Sequence, residues 1–259
     1  MEHIIVASDL SDRSEQALLR GVNLARRLGA KLSVHYVVDS AMPLAIAEDV
    51  KFQAQTALET AMQAHVQNGD VTYNISVEIG DVVDEITQAV RQINPSLLVV
   101  GVHRRRLFLD QIKETTMERL IRASRQPVLL VAGPADQEYT NALGAIDLSR
   151  ACESALRHLR RIAPDAALTL FHAHEVSFLK ESQRDYATWK AVASLPENIP
   201  DPIFVEASPA DAVHDLMKTG KYDLLALGAH TRSNLSRLML GGLTAGLIRN
   251  PPCDLLVAR

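Results

Sequence analysis

Leu97-Leu98-Val99-Val100-Gly101-Val102-His103-Arg104 returns 127 positions later as Leu224-Leu225-Ala226-Leu227-Gly228-Ala229-His230-Thr231. An apolar run this short is a buried strand rather than a helix, and the glycine that ends it allows a tight exit into a loop. Each copy leads through a largely helical stretch to a second run, Val128-Leu129-Leu130-Val131-Ala132 in one case and Asp254-Leu255-Leu256-Val257-Ala258 in the other. The starts correspond as well: Ile5-Val6-Ala7-Ser8-Asp9-Leu10-Ser11 matches Leu143-Gly144-Ala145-Ile146-Asp147-Leu148-Ser149. The 259 residues are therefore two units of roughly 130, bounded at 1–133 and 140–259. Gly133-Pro134-Ala135-Asp136-Gln137-Glu138 supplies the breakers of a short linker between them.

Within each unit short apolar runs alternate with longer segments of 3.6 period, the grammar of βαβ units. Strands are predicted near 3–8, 32–38, 72–78, 97–102 and 127–132, and again near 142–147, 167–173, 202–206, 223–228 and 253–258. Helices fall near 12–28, 43–67, 82–93 and 110–124, then 150–162, 177–193, 209–219 and 234–249. With right-handed crossovers this is an α/β fold: two tandem, doubly wound, five-stranded parallel-sheet domains. Ser11 and Ser149 stand where N-caps belong, Asp12 and Glu15 have capping-box spacing, and Asp81 and Asp211 are predicted to open the third helix of each unit.

Composition removes several function classes. With 27 Lys and Arg against 31 Asp and Glu, a formal charge of -4 and 4% aromatic residues, the chain has neither the basic footprint nor the stacking surface of a nucleic-acid or membrane-surface binder. No stretch reaches the ~18 apolar residues of a membrane span, and the start at Met1-Glu2-His3 lacks a secretory leader. The two cysteines, Cys152 and Cys253, form no CxxC pair, so a disulfide framework and a thiolate zinc site are not expected and a reducing cytoplasm is. Cys152 lies one turn into a helix, where the dipole could lower its pKa, although a small packing role is the commoner one.

In open parallel sheets ligands sit beyond the carboxyl ends of the strands. That directs attention to Asp9 and Asp147, to Val37-Val38-Asp39 and Ala173-His174-Glu175, and to the loops after Gly101 and Gly228. The segment Leu227-Gly228-Ala229-His230-Thr231-Arg232 through Leu240-Gly241-Gly242-Leu243, closing on Pro252-Cys253-Asp254-Leu255-Leu256-Val257, resembles the C-terminal signature of the universal stress protein family. The first unit carries the same frame in weaker form. In its nucleotide-binding branch the family holds ATP with a G-x-x-G pattern, nine residues, then G-S or G-T. Glycines let backbone N–H groups reach phosphate oxygens, and the second cluster opens a helix whose dipole favours anions.

The resemblance implies, for the second unit, a site for ATP or another adenine nucleotide built from Asp147, Ala173, Gly228, His230, Thr231, Gly241, Gly242 and Leu243. Thr231 replaces the second glycine and Gly242 the usual hydroxyl residue. In the first unit only Gly101 remains. Arg104 takes the second glycine position and Glu114-Thr115 the second cluster, which places a carboxylate where phosphate would rest. Arg104-Arg105-Arg106 is expected to be a solvated charged loop. The resemblance further implies pairing of the fifth strands, 127–132 and 253–258, as an intramolecular pseudo-dimer, with homodimerisation and unidentified protein partners left open.

The expected function is that of a cytoplasmic, non-enzymatic stress-response protein acting through partners. Two alternatives stand beside it: a slow ATP hydrolase or nucleotide transferase, and a small-ligand or zinc-binding module. No P-loop, no G-x-G-x-x-G after a first strand and no G-x-S-x-G elbow occurs. His172 and His174 share a strand face with Glu175 following, but no metal is expected, and no catalytic residue is assigned.

Overall fold

The computed structural model describes residues 2–102, 115–229 and 242–259. The chain divides into two compact units, Met1–Asp136 and Gln137–Arg259.

In the first unit the order is β1 (His3–Ala7), α1 (Asp12–Leu28), β2 (Lys31–Asp39), α2 (Leu44–His65), β3 (Tyr73–Gly80), α3 (Val82–Ile93), β4 (Leu97–Gly101), α4 (Thr116–Ala123) and β5 (Val128–Val131). In the second it is β6 (Asn141–Ala145), α5 (Arg150–Ile162), β7 (Ala167–His174), α6 (Leu179–Val192), β8 (Ile203–Glu206), α7 (Pro209–Thr219), β9 (Leu224–Gly228), α8 (Gly242–Arg249) and β10 (Asp254–Ala258). The strands of the first unit lie in the order β3-β2-β1-β4-β5, and those of the second in the order β8-β7-β6-β9-β10. Both are parallel and doubly wound, with the reversal of order between the first and fourth strands. The central strands are apolar on both faces, as a sheet covered by helices on each side requires: Leu97–Val100 and Leu224–Gly228 are buried throughout.

Helix starts follow local chemistry, with two differences from the sequence expectation. Ser11 caps α1, its Oγ accepting from Ser14 N, so Asp12 is the first helical residue and Glu15 lies within the first turn rather than closing a box with Asp12. Asp81 caps α3 as expected, its carboxylate accepting from the amides of Val83 and Asp84. Asp211, in contrast, does not open α7. Ser208 is the cap and Pro209 the first residue, and the Ser208 hydroxyl donates to Asp211 at 2.6 Å. Proline is suited to that position because its missing N–H would have had no partner there.

The stretch after β5 is pinned to its own unit. Arg20 Nη2 donates to Pro134 O at 2.8 Å and Asn23 Nδ2 to Ala135 O at 2.9 Å, while Ala135 N donates to Gln16 Oε1 at 2.9 Å. Three bonds to one face of α1 anchor the chain before the second unit begins.

Candidate functional site

The carboxyl end of β6 turns into α5 through Asp147-Leu148-Ser149. Leu148 has a φ of 63°, a left-handed conformation that costs a branched side chain about 1 kcal/mol or more. The turn it makes lets Ser149 donate its hydroxyl to Asp147 Oδ1 at 2.7 Å while accepting from Cys152 N at 3.0 Å as the helix cap. The Asp147 carboxylate is thereby oriented at the surface, beside the start of a helix. The first unit repeats this loop closely: Leu10 has a φ of 60°, Ser11 Oγ donates to Asp9 Oδ1 at 2.5 Å, and the same hydroxyl accepts from Ser14 N at 3.3 Å. An exposed aspartate held this way is common to both halves, so it does not distinguish them.

Gly228 closes against the same helix start. A Cβ placed on it would stand 2.6 Å from Cys152 N and 2.8 Å from Ala151 C, both backbone atoms. Gly101 makes the equivalent approach, its added Cβ lying 2.7 Å from Arg13 O. The first glycine of the pattern is thus required by packing of the fourth strand against the first helix, whether or not a phosphate ever approaches. Its presence in both halves has a structural cause. The same contact joins Gly228 through Cys152 N and Ser149 to Asp147, so these residues form one corner of the site.

Ala173 is half-buried at the end of β7. Its neighbours fix this edge: His172 Nδ1 donates to Ile146 O at 2.9 Å, tying β7 to the loop that carries Asp147, and its ring meets Phe204 edge-on at 5.8 Å. His174 is buried and its Nδ1 donates to Glu175 O at 2.8 Å. A backbone carbonyl can only accept, so Nδ1 carries the proton in both rings. Among the described residues no group of three or more His, Cys, Asp or Glu side chains is placed to hold a metal ion.

The two halves differ at the helix that follows the fourth strand. In the first unit Thr115 caps α4 and Glu118 completes a capping box: Glu118 N donates to Thr115 Oγ1 at 3.2 Å, and Thr115 N donates to Glu118 Oε2 at 2.7 Å. Glu118 is 3% exposed. The end of this helix where an anion would bind already holds the chain's own carboxylate. The T-x-x-E spacing is the sequence signal for this arrangement, and it points to Glu118 rather than to Glu114. Glu114 lies outside the described residues, along with His103 and Arg104 to Arg106.

In the second unit α8 is described from Gly242, and neither its described residues nor the stretch 230–241 before it contains an acidic residue. Gly242 is exposed, and among the described residues an added Cβ would find no atom within 4 Å. None of those residues requires a glycine there, as Ala151 and Cys152 do at Gly228, and a glycine in a helix costs up to about 1 kcal/mol relative to alanine. Leu243 follows it, half-buried. Of the remaining expected residues, His230, Thr231 and Gly241 lie outside the described residues.

Cys152 is not activated. Burial first, and then the Asp147 carboxylate, push its thiol up to about 12, so position near a helix start does not lower its pKa as the sequence suggested it could. Desolvation in the cluster of Ile146, Leu156, Leu170, Tyr186 and Trp189 outweighs the dipole. Cys253 is likewise buried and raised to about 12, and both cysteines are free.

A model of the Universal stress protein family matches residues 1–132 and again 138–259. Over the full length of both chains the sequence is 23% identical to Universal stress protein Slr1230 of Synechocystis sp.. Among solved structures, a universal stress protein from Archaeoglobus fulgidus superposes with a TM-score of 0.73 at 17% identity, covering 99% of this chain and 96% of that one. A protein of unknown function from Pseudomonas aeruginosa superposes with a TM-score of 0.67 at 15% identity, covering 100% and 92%.

Proposed function

Because this chain belongs to the universal stress protein family, whose model matches both halves, we propose that it is a cytoplasmic stress-response protein that acts by binding partners, with an adenine nucleotide held by its C-terminal half alone. The observation that carries this reading is the contrast between two helix starts. The N-terminus of α4 is closed by the buried Glu118 carboxylate, whereas α8, described from exposed Gly242, has no carboxylate anywhere between His230 and its end at Arg249. Free N–H groups at a helix start favour an anion by geometry and by dipole together.

In this reading the α8 amides receive phosphate oxygens, Asp147 accepts from ribose hydroxyls, and the small Ala173 leaves room for the base. The N-terminal half then acts as a structural partner, the two halves forming a pseudo-dimer within one chain. Among the described residues no helix is long and apolar enough to cross a membrane.

Calorimetric titration with ATP tests this. The wild-type chain is expected to bind saturably, and Asp147→Ala and Gly242→Glu to lose binding while remaining folded. Among the described residues a Cβ at Gly242 meets no neighbouring atom, and a glutamate near a helix N-terminus favours the helix, so far-UV circular dichroism of Gly242→Glu separates its effect on binding from any effect on folding. Lack of ATP affinity at millimolar concentration, or binding retained in Gly242→Glu, overturns the nucleotide part of the proposal.

A further inference from the structure

One face of the first unit's sheet carries polar residues where a core is expected. The register sets Ser33 opposite Asn74, His35 opposite Ser76 and Val37 opposite Glu78, and alternation places these on the face shared with His3 and Ile5. The other face packs on α1, where a Cβ on Gly21 would run into Val6 Cγ2 and lie 3.5 Å from Leu32 Cδ1. The His35 face is therefore the one beneath α3, which packs on β1, β2 and β3 and buries Val83, Ile86, Ala89 and Val90.

The polar groups around His35 are committed elsewhere. Ser33 Oγ donates to Asn74 Oδ1 at 2.6 Å and lies 2.7 Å from His3 Nε2, while Ser76 Oγ donates to Glu78 Oε1 at 2.8 Å. His35 itself is 8% exposed, and its Nε2 is inaccessible and has no hydrogen-bond partner among the described residues. The equivalent position of the second unit is instructive. Phe171 pairs with Ala145 as His35 pairs with Ala7, and Ile203 stands opposite it as Ser76 stands opposite His35. Phe171 is 2% exposed, so the site is a core position in which one half places an ionisable ring.

We propose that His35 makes the N-terminal half an acid-sensitive switch: protonated, the ring no longer fits beneath α3, and the β2–β3 edge loosens. Among the described residues the charged groups facing it are few. Glu78, which pairs with Lys51 at 3.8 Å, lies on β3 and favours the charged ring; His3 on β1 opposes it; the buried side chains of α3 carry no charge. Burial is the largest influence and lowers the His35 pKa, Glu78 offsets part of that, and His3 adds to it. A lowered folded-state pKa means that stability is fully present above the unfolded value, about 6.5, and is lost as pH falls below it.

Hydrogen exchange of the full chain, corrected for intrinsic rates and compared between about pH 7.5 and 5.5, tests this. In the wild type, protection of 73–80 and 82–93 should fall by up to about tenfold, the ceiling that uptake of one proton by the opened form across this range sets, and any loss in 167–174 and 203–206, where burial lowers the pKa of His158 in α5 in the same way, should be the same in wild type and His35→Phe. His35→Phe, which copies the residue at the matching place in the other half, should abolish the response, and His3→Gln should keep it. The His35 ring resonance in the wild type supplies a reading that depends on no variant: in the folded protein the ring should still be neutral at the pH where protection begins to fall, and should titrate only at lower pH. Equal responses of 73–80 and 82–93 in wild type and His35→Phe, or an unchanged wild type, would overturn the proposal.

Discussion

Gly101 is a position where two explanations of the same glycine predict opposite signs. If it persists to let a phosphate approach, it has no task in a half that lacks the rest of the pattern. Gly101→Ala should then be neutral, or stabilising by about 0.4–1 kcal/mol through the lost freedom of the unfolded chain. The packing around it points the other way. The new Cβ would stand 2.7 Å from Arg13 O and 2.9 Å from Arg13 C, both backbone atoms that cannot rotate away. Restoring ordinary contact requires β4 and the first turn of α1 to separate by roughly 0.7 Å, an overpacking change of about 1–3 kcal/mol. Gly228→Ala should cost the same, since its Cβ would lie 2.6 Å from Cys152 N. With a urea dependence of about 1–3 kcal/mol per molar, each variant should lower its unit's midpoint by roughly 1 M. The chain holds one tryptophan, Trp189, buried in α6, so its fluorescence follows the second unit alone. Gly228→Ala should shift that transition, and Gly101→Ala should shift exchange protection in β1 and β4. A neutral or stabilised Gly101→Ala would refute the packing explanation.

Further outcomes follow from the same geometry. Glu118→Ala removes a capping box and a buried charge-assisted bond, and should lower the stability of the first unit by about 1–2 kcal/mol without moving the Trp189 transition in urea. Ser149→Ala should cost about 1 kcal/mol in the second unit, read by Trp189, and should weaken ATP binding by releasing Asp147 from its hydroxyl partner. With Cys152 raised to about 12 and buried, iodoacetamide at about pH 8 should leave it unmodified in the native chain and alkylate it only in denaturant, as mass spectrometry of digested protein would show.

The elements were legible where one residue pattern dominated. Leu97–Val100 and Leu224–Leu227 are too short and too apolar to be anything but buried parallel strands, and the doubling of that pattern implied the duplicated fold. Legibility failed where two local signals competed. At α7 the Ser208-Pro209 pair starts the helix ahead of Asp211, because serine caps as readily as aspartate and proline favours the first position. Roles that depend on distant backbone were hidden altogether. Nothing near Gly228 in sequence reveals that Ala151 and Cys152 press against it, so packing and ligand binding predict the same residue there. Glu118 was not singled out from the sequence, where Glu114 was the carboxylate expected near a phosphate; the spacing of Thr115 and Glu118 carries the capping-box signal, and only burial shows that Glu118 fills the helix end. In the same way His35 reads as an ordinary strand residue until the register sets it against Phe171 of the other half.

If ligand chemistry resides in the C-terminal half alone, the two halves must respond differently to nucleotide. Hydrogen exchange of the full chain with and without saturating ATP decides this, because each half reports separately. Added protection is expected in 146–149 and 242–249 and none in 8–11 and 115–123. Matching protection in both halves, or protection confined to 115–123, would contradict it.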